Sequence, residues 1–90
     1  MSQEEFDQTA KQVRELPESV AISDEDKLKI YGLYKQATVG DVNIEQPGMF
    51  KLKEKKKWEA WNDQKGKSKE QARKEYIETA KMYIPSTEQK

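Results

Sequence analysis

The stretch Tyr31-Gly32-Leu33-Tyr34-Lys35-Gln36-Ala37-Thr38-Val39-Gly40-Asp41 reads as a helix and its end. At 3.6 residues per turn, Tyr31, Tyr34 and Lys35 stand at i, i+3 and i+4 and share one surface. Leu28, Tyr31, Leu33 and Ala37 supply the inward contacts, and Gly40-Asp41 stops the helix. A connection of about a dozen residues follows, 39–50, carrying Gly40, Pro47 and Gly48. Loops of that length are uncommon in compact domains and are more often functional than idle. Its Val42, Ile44, Met49 and Phe50 predict a connection packed onto the helices rather than a free linker.

Working outward, three capping patterns mark helix starts: Ser2 with Glu5, Ser23 with Asp26, and Ser68 with Gln71. In each, the hydroxyl can accept from an unpaired amide while the residue three places on reaches back. The first helix is expected over 3–16, with Phe6, Ala10 and Val13 on one face and Pro17 ending it. The second is expected over 24–38. The third, 51–65, has no side chain suited to cap its start and is closed by Gly66. The fourth, 69–84, carries Ala72, Tyr76, Ile77, Ala80, Tyr83 and Ile84 as an apolar stripe. No stretch alternates as a strand, so the fold class is all-α, a four-helix bundle with one long loop between helices two and three. The short link between helices three and four predicts an antiparallel hairpin there. Residues 1–85 read as one domain, and the polar stretch 86–90 as a C-terminal tail.

A chain of 90 residues buries only about 60–65% of the surface it exposes when unfolded. The core is therefore thin, and stability depends partly on what is bound. The charges balance, with 17 basic and 17 acidic residues. Neither cysteine nor histidine occurs. This excludes a thiol nucleophile, a Ser-His-Asp triad, a disulfide frame and a conventional zinc site, and no cofactor is implied. The N-terminus lacks the basic and apolar regions of a secretory signal, and no segment approaches the roughly 20 apolar residues that span a bilayer. The expectation is a cytoplasmic protein without stable membrane insertion.

Tyrosine offers a flat apolar ring with a hydroxyl at its tip, and lysine a mobile cation. The face of Tyr31, Tyr34 and Lys35 can thus hold something part aromatic and part anionic, as a nucleotide is. Lys51, Lys53, Lys55, Lys56 and Lys57 read either as a solvated face or as a phosphate-binding edge. Beside the Tyr31 face the second reading is the better one for Lys53 and Lys57, with Lys55 and Lys56 turned to solvent. Trp58 and Trp61 read as core, because the bundle otherwise lacks volume. Tyr76, within an apolar stripe, reads by itself as a core tyrosine with its hydroxyl at the rim. Arg14 reads as a favourable charge at a helix C-terminus.

The Tyr31–Asp41 run is joined by Gln46-Pro47-Gly48-Met49, Lys57-Trp58-Glu59-Ala60-Trp61-Asn62, Lys65-Gly66-Lys67-Ser68 and Tyr76-Ile77. In this order and spacing they resemble the acyl-CoA-binding protein family, from about Phe6 to about Tyr83. The resemblance implies an up-down-down-up arrangement whose parallel pair needs the long loop. It also implies a monomeric intracellular carrier and buffer of medium- and long-chain acyl-CoA esters, with no chemistry of its own. Transient contacts with acyl-CoA-using enzymes or membranes are part of that expectation. By the same resemblance the ligand site comprises Arg14, Tyr31, Gly32, Leu33, Tyr34, Lys35, Lys53, Lys57 and Tyr76, which moves Tyr76 from the core to the site. Lys35 and Lys57 would hold the ribose 3′-phosphate with help from the Tyr31 hydroxyl, and adenine would pack on Tyr34. The acyl chain would lie between helices two and three, with Leu28, Ile30, Thr9 and Ala10 as neighbours. Lys27, Lys56 and Thr9 depart from the family's usual residues at their positions, which bears on chain-length preference.

Two alternatives belong to other classes. A nucleic-acid-binding helical domain would use the lysine run and the aromatics, but the zero formal charge opposes it, since 17 acidic residues repel a polyanion. A protein-interaction bundle would bind no small ligand. An enzyme is less favoured still: without Cys or His, a thioesterase would need water activated by a carboxylate, and no Asp or Glu pair has the apolar setting for that.

Overall fold

The computed structural model describes residues 3–84, and these form four α-helices: α1 (Gln3–Arg14), α2 (Asp24–Thr38), α3 (Leu52–Asn62) and α4 (Lys69–Ala80). The expected start of α2 is realised by its cap, where the Asp26 N–H donates to the Ser23 hydroxyl at 3.2 Å. At α4 the Gln71 N–H donates likewise to Ser68 at 3.0 Å. Neither partner closes the box by reaching back. The Gln71 amide donates to Glu75 at 2.8 Å, and the Asp26 carboxylate accepts from the Tyr83 hydroxyl. Ser2, the proposed tail and Pro85 lie outside the described residues.

Helices α1, α3 and α4 are shorter than the sequence suggests, because their last residues wind into turns with tighter i to i+3 bonds. Leu16 donates to Val13, Gln64 to Trp61, Lys65 to Asn62, and Tyr83 to Ala80. Lys51, at the start of α3, has no side-chain cap, as expected.

Directions follow from who meets whom. Along α2 and α3, the Lys57 ammonium lies over the Tyr31 ring, Gly32 meets Ala60, and Trp61 reaches Gly40, so the two helices run the same way. Along α2 and α4, Gln36 meets Lys67 and Asp26 meets Tyr83, so these run oppositely. Phe6 lies against Tyr34 while Arg14 shares a groove with Lys27 and Ile30, which sets α1 against α2. This is the up-down-down-up arrangement.

Packing contradicts one expectation. The third and fourth helices do not pack on each other: α1 packs on α4, α4 on α2, and α2 on α3. The Cα atoms span 42 × 30 × 15 Å, a slab rather than a square bundle. The core lies on the α1–α4–α2 side, built from Phe6, Ala10, Ile30, Leu33, Ala37, Ala72, Tyr76, Ile77, Ala80 and Ile84. From α3 only Ala60 and Trp61 are buried. Gly32 explains why α3 chooses α2. A Cβ on Gly32 would fall 2.2 Å from the Ala60 carbonyl oxygen, so only glycine permits this crossing.

The long connection is tied down by polar groups rather than by its apolar side chains. Trp61 Nε1 donates to the Gly40 carbonyl at 2.7 Å and Trp58 Nε1 to the Ile44 carbonyl at 2.8 Å. Trp58 is only half-buried, which corrects its placement in the core, whereas Trp61 is 3% exposed. Ile44, Met49 and Phe50 are exposed, against the expectation that they pack inward, and only Val42 is partly covered. Indole donors on α3 satisfy backbone carbonyls at the root of the loop, and that leaves the distal apolar residues free to face water.

Candidate ligand-binding site

Helix α2 carries the site because its residues point into two grooves, one on each flank. The first groove, about 360 Å³, lies among α1, α2 and α4. Ala10 and Arg14 line it from α1, Ile30, Tyr31 and Tyr34 from α2, and Tyr76 from α4. Its aromatic floor is locked. Phe6 stacks on Tyr34 with centroids 5.7 Å apart, Tyr76 tilts against Phe6 at 5.0 Å, and Tyr34 and Tyr76 meet at 5.9 Å. Such pairs contribute about 0.5–1.5 kcal/mol each beyond area burial, so the floor is preformed. Burial pushes the Tyr76 phenol up to about 12, with Tyr34 adding to the shift and Arg14 opposing it. At neutral pH that hydroxyl stays protonated and can donate to an acceptor.

The second groove, about 370 Å³, lies between α2 and α3 and is lined by Asp24, Lys27, Leu28, Tyr31, Lys53, Lys56 and Lys57. Its walls are lysine stems, apolar along their length and cationic at their tips, around Leu28 and Tyr31. The Lys57 ammonium sits 5.4 Å from the Tyr31 ring centroid, a cation–π contact that holds a charge at the junction. Tyr31 and Lys27 line both grooves, making them neighbouring halves of one surface.

The expected site residues are therefore only partly brought together. Arg14, Tyr31, Tyr34 and Tyr76 share the first groove, and Tyr31, Lys53 and Lys57 the second. Lys35 lines neither. Its ammonium lies 5.1 Å from the Trp61 ring centroid, beyond the lysine groove. Leu33 is fully buried in the core, and Gly32 is buried against Ala60, so neither presents a side chain to a ligand; both act by packing. The four apolar neighbours also separate. Leu28 stands in the α2–α3 groove, Ile30 and Ala10 in the other, and Thr9 is buried with its hydroxyl donating to the Glu5 carbonyl at 2.8 Å.

Lys56 is exposed as expected, whereas Lys55 is partly covered; Lys27 and Lys56, noted only as departures, also line the lysine groove, which sequence reasoning did not foresee. Lys27 stands one turn before Tyr31 and Lys56 three residues after Lys53, and this spacing was the available signal. It also missed Gln36, buried between Leu33 and Ala37, whose amide donates to Asp41 at 2.8 Å and to the Lys67 carbonyl at 2.7 Å. The same Asp41 carboxylate accepts from the Gly66 N–H at 2.9 Å, so this cluster joins the end of α2 to the α3–α4 turn. The Gly66 hydrogen bond first, and Gln36 second, hold the Asp41 carboxyl below its ordinary value.

Adjoining aromatic and lysine-lined grooves agree with what sequence comparison returns. The sequence model of the family described as Acyl CoA binding protein matches residues 3–80. The chain belongs to the acyl-CoA-binding protein family. It is 54% identical over 79 residues to acyl-CoA-binding domain-containing protein 3 of rice, covering 88% of this chain and 50% of that one, so it spans half that relative's length. It is 57% identical over 72 residues to acyl-CoA-binding protein 2 of Saccharomyces pastorianus, covering 80% of each. The crystal structure of Oryza sativa acyl-CoA-binding protein 2 superposes with a TM-score of 0.84 at 52% identity, covering 90% of this chain and 88% of that one. Among the described residues no helix is long and apolar enough to cross a membrane, and no cluster of His, Cys, Asp and Glu is arranged to hold a metal ion.

Proposed function

We propose that this chain binds medium- and long-chain acyl-CoA esters and carries them as a monomer in the cytoplasm, without performing chemistry on them. The observation that supports this best is the pair of dissimilar grooves meeting at Tyr31. One is aromatic-floored and bordered by Arg14, and suits adenine. The other is lysine-walled around Leu28, and suits phosphates at its rim and a hydrocarbon chain along its stems. Lys57 and the Tyr31 hydroxyl are the candidates for the ribose 3′-phosphate, with Lys53 beside them; Lys35 would have to leave the Trp61 ring to join them. Charge-assisted contacts set head-group identity. Each buried methylene adds up to about 0.8 kcal/mol while the groove lasts. A long-chain acyl-CoA is a detergent with a multiply charged head, so a carrier has to satisfy both ends at once.

Titration calorimetry with palmitoyl-CoA, free coenzyme A, palmitate and 3′-dephospho-palmitoyl-CoA tests the proposal. Palmitoyl-CoA should bind far more tightly than either half alone, and equal affinity for palmitate would sink the reading. Lys57→Ala should weaken palmitoyl-CoA by about 1.5–3 kcal/mol, the range for hydrogen bonds to charged groups, and leave the dephospho ligand nearly unaffected.

A further inference from the structure

The connection between α2 and α3 ends in a turn that neither the core nor the two grooves use. The Lys51 N–H donates to the Gly48 carbonyl at 2.9 Å, which puts Met49 and Phe50 at the two corners of the turn. Phe50 is 95% exposed, Met49 71% and Leu52, at the first position of α3, 65%. Single exposed apolar residues are ordinary, but three large ones within four positions, on a tethered loop, form a patch that calls for a partner. Lysines alternate with them and follow them: Lys51, Lys53, Lys55, Lys56 and Lys57, opposed within 49–57 only by Glu54. Among the described residues the ion pairs join Lys67 to Glu75 and Lys81 to Glu5, so none of these five lysines is neutralised.

We propose that this turn docks the protein on the surface of an anionic lipid bilayer, with Met49, Phe50 and Leu52 entering the boundary between headgroups and acyl chains. Charge complementarity selects the occupant. Burying this tip in a protein pocket would desolvate Lys51 and Lys53 with it, and lysine is depleted in the cores of protein interfaces. A second copy of the chain would bring like charges together. At a bilayer the same lysines extend their stems along the apolar layer and leave their ammonium groups among lipid phosphates, where each is attracted to the anionic surface. Lys53 follows Leu52 directly and lines the α2–α3 groove, so docking brings the mouth of that groove to the membrane. What is new here is the surface that would make the transient membrane contact the resemblance implies; it does not depend on the carrier reading, because it concerns the unliganded chain.

The test is co-sedimentation of the unliganded full chain with phosphatidylcholine vesicles containing about 30% phosphatidylserine, at low salt. Wild type should bind these, should bind pure phosphatidylcholine vesicles far less, and should be released by salt. Phe50→Ser and, independently, Met49→Ser should each weaken binding, Phe50→Ser by about tenfold or more, while Phe50→Leu retains it. Thermal melts of the serine variants should match wild type, since both side chains are exposed. Their calorimetric affinity for palmitoyl-CoA should also be unchanged, which separates failure of docking from failure of the carrier reading. Wild type that stays in the supernatant, as it would if a protein partner covers the turn, overturns the proposal. So does Phe50→Ser that sediments as well as wild type, which would leave only diffuse attraction by lysines.

Discussion

On the side of α2 that faces α4 and α1, Leu33, Ala37, Ile77, Ala80, Phe6 and Tyr76 close on one another, and the only polar side chains buried among the helices are Thr9, Gln36 and Thr79 among the described residues. On the side that faces α3, the helix is held by a glycine crossing, one buried alanine, one buried tryptophan and two indole hydrogen bonds to the loop. One flank is a hydrophobic core and the other a polar clasp. Apolar burial is the larger and more cooperative stabilisation, so α3 and its loop should be the part that opens first. The weaker flank also carries most of the lysines of the ligand groove and the exposed turn. An element that admits a detergent-like ligand and meets a lipid surface, as proposed for α3 and its loop, belongs at the low-stability end of the molecule.

The largest effect should come from the strong flank. Leu33→Ala, at a fully buried position, should cost about 2–5 kcal/mol of global stability in urea denaturation, lowering every probe together. A loss under 1 kcal/mol would mean that the core side is not the cooperative unit. Gly32→Ala attacks the boundary instead. Its Cβ clash with the Ala60 carbonyl should cost about 1–3 kcal/mol, and amide exchange should show α3 deprotected while α1 and α4 stay slow. Uniform deprotection would erase the distinction between the flanks.

Trp61→Phe keeps most of the ring but removes the donor to the Gly40 carbonyl, at about 0.5–1.5 kcal/mol, with loosening centred on residues 39–51. The smallest effect is electrostatic. The folded-state pKa of Asp41 is held below 3.8, so its contribution is present above the unfolded value and lost as pH falls through the folded one. The stability gap between wild type and Asp41→Asn should therefore be full near neutral pH and shrink below pH 3.8. A gap that widens in acid would refute the role given to the Gly66 and Gln36 hydrogen bonds.

Much of the fold was legible because its signals are local. Ser23 and Gly40 bracket α2 where the sequence puts them, for a cap hydroxyl and a glycine at φ 99° act within one turn. The helix face of Tyr31 and Tyr34 was equally legible, since spacing alone places both on one side of a helix. That Tyr34 would join Phe6 and Tyr76 was not, and that Tyr31 would meet Lys57 came from the family resemblance and not from spacing, because both depend on which helices arrive at each flank. Lys35 shows the same limit: its register with Tyr31 is correct, yet its ammonium is drawn to Trp61 from another helix.

The chain by itself determined four helices, their approximate ends, a long connection after α2 and the residue types of a site for an aromatic, anionic ligand. Those follow from period, caps and glycines, which are properties of neighbours in sequence. Only the tertiary structure decided that α3 packs on α2 and not on α4, that Trp58 clasps a loop carbonyl instead of filling the core, and that Met49, Phe50 and Leu52 face water. The physical reason is competition for a limited interior. In a 90-residue chain with few aliphatics, close approach at Gly32 and the hydrogen-bond needs of the Gly40 and Ile44 carbonyls determine which apolar side chains are covered. Hydrophobicity alone ranks Phe50 for burial, but it cannot say that the turn carrying it points away from the core.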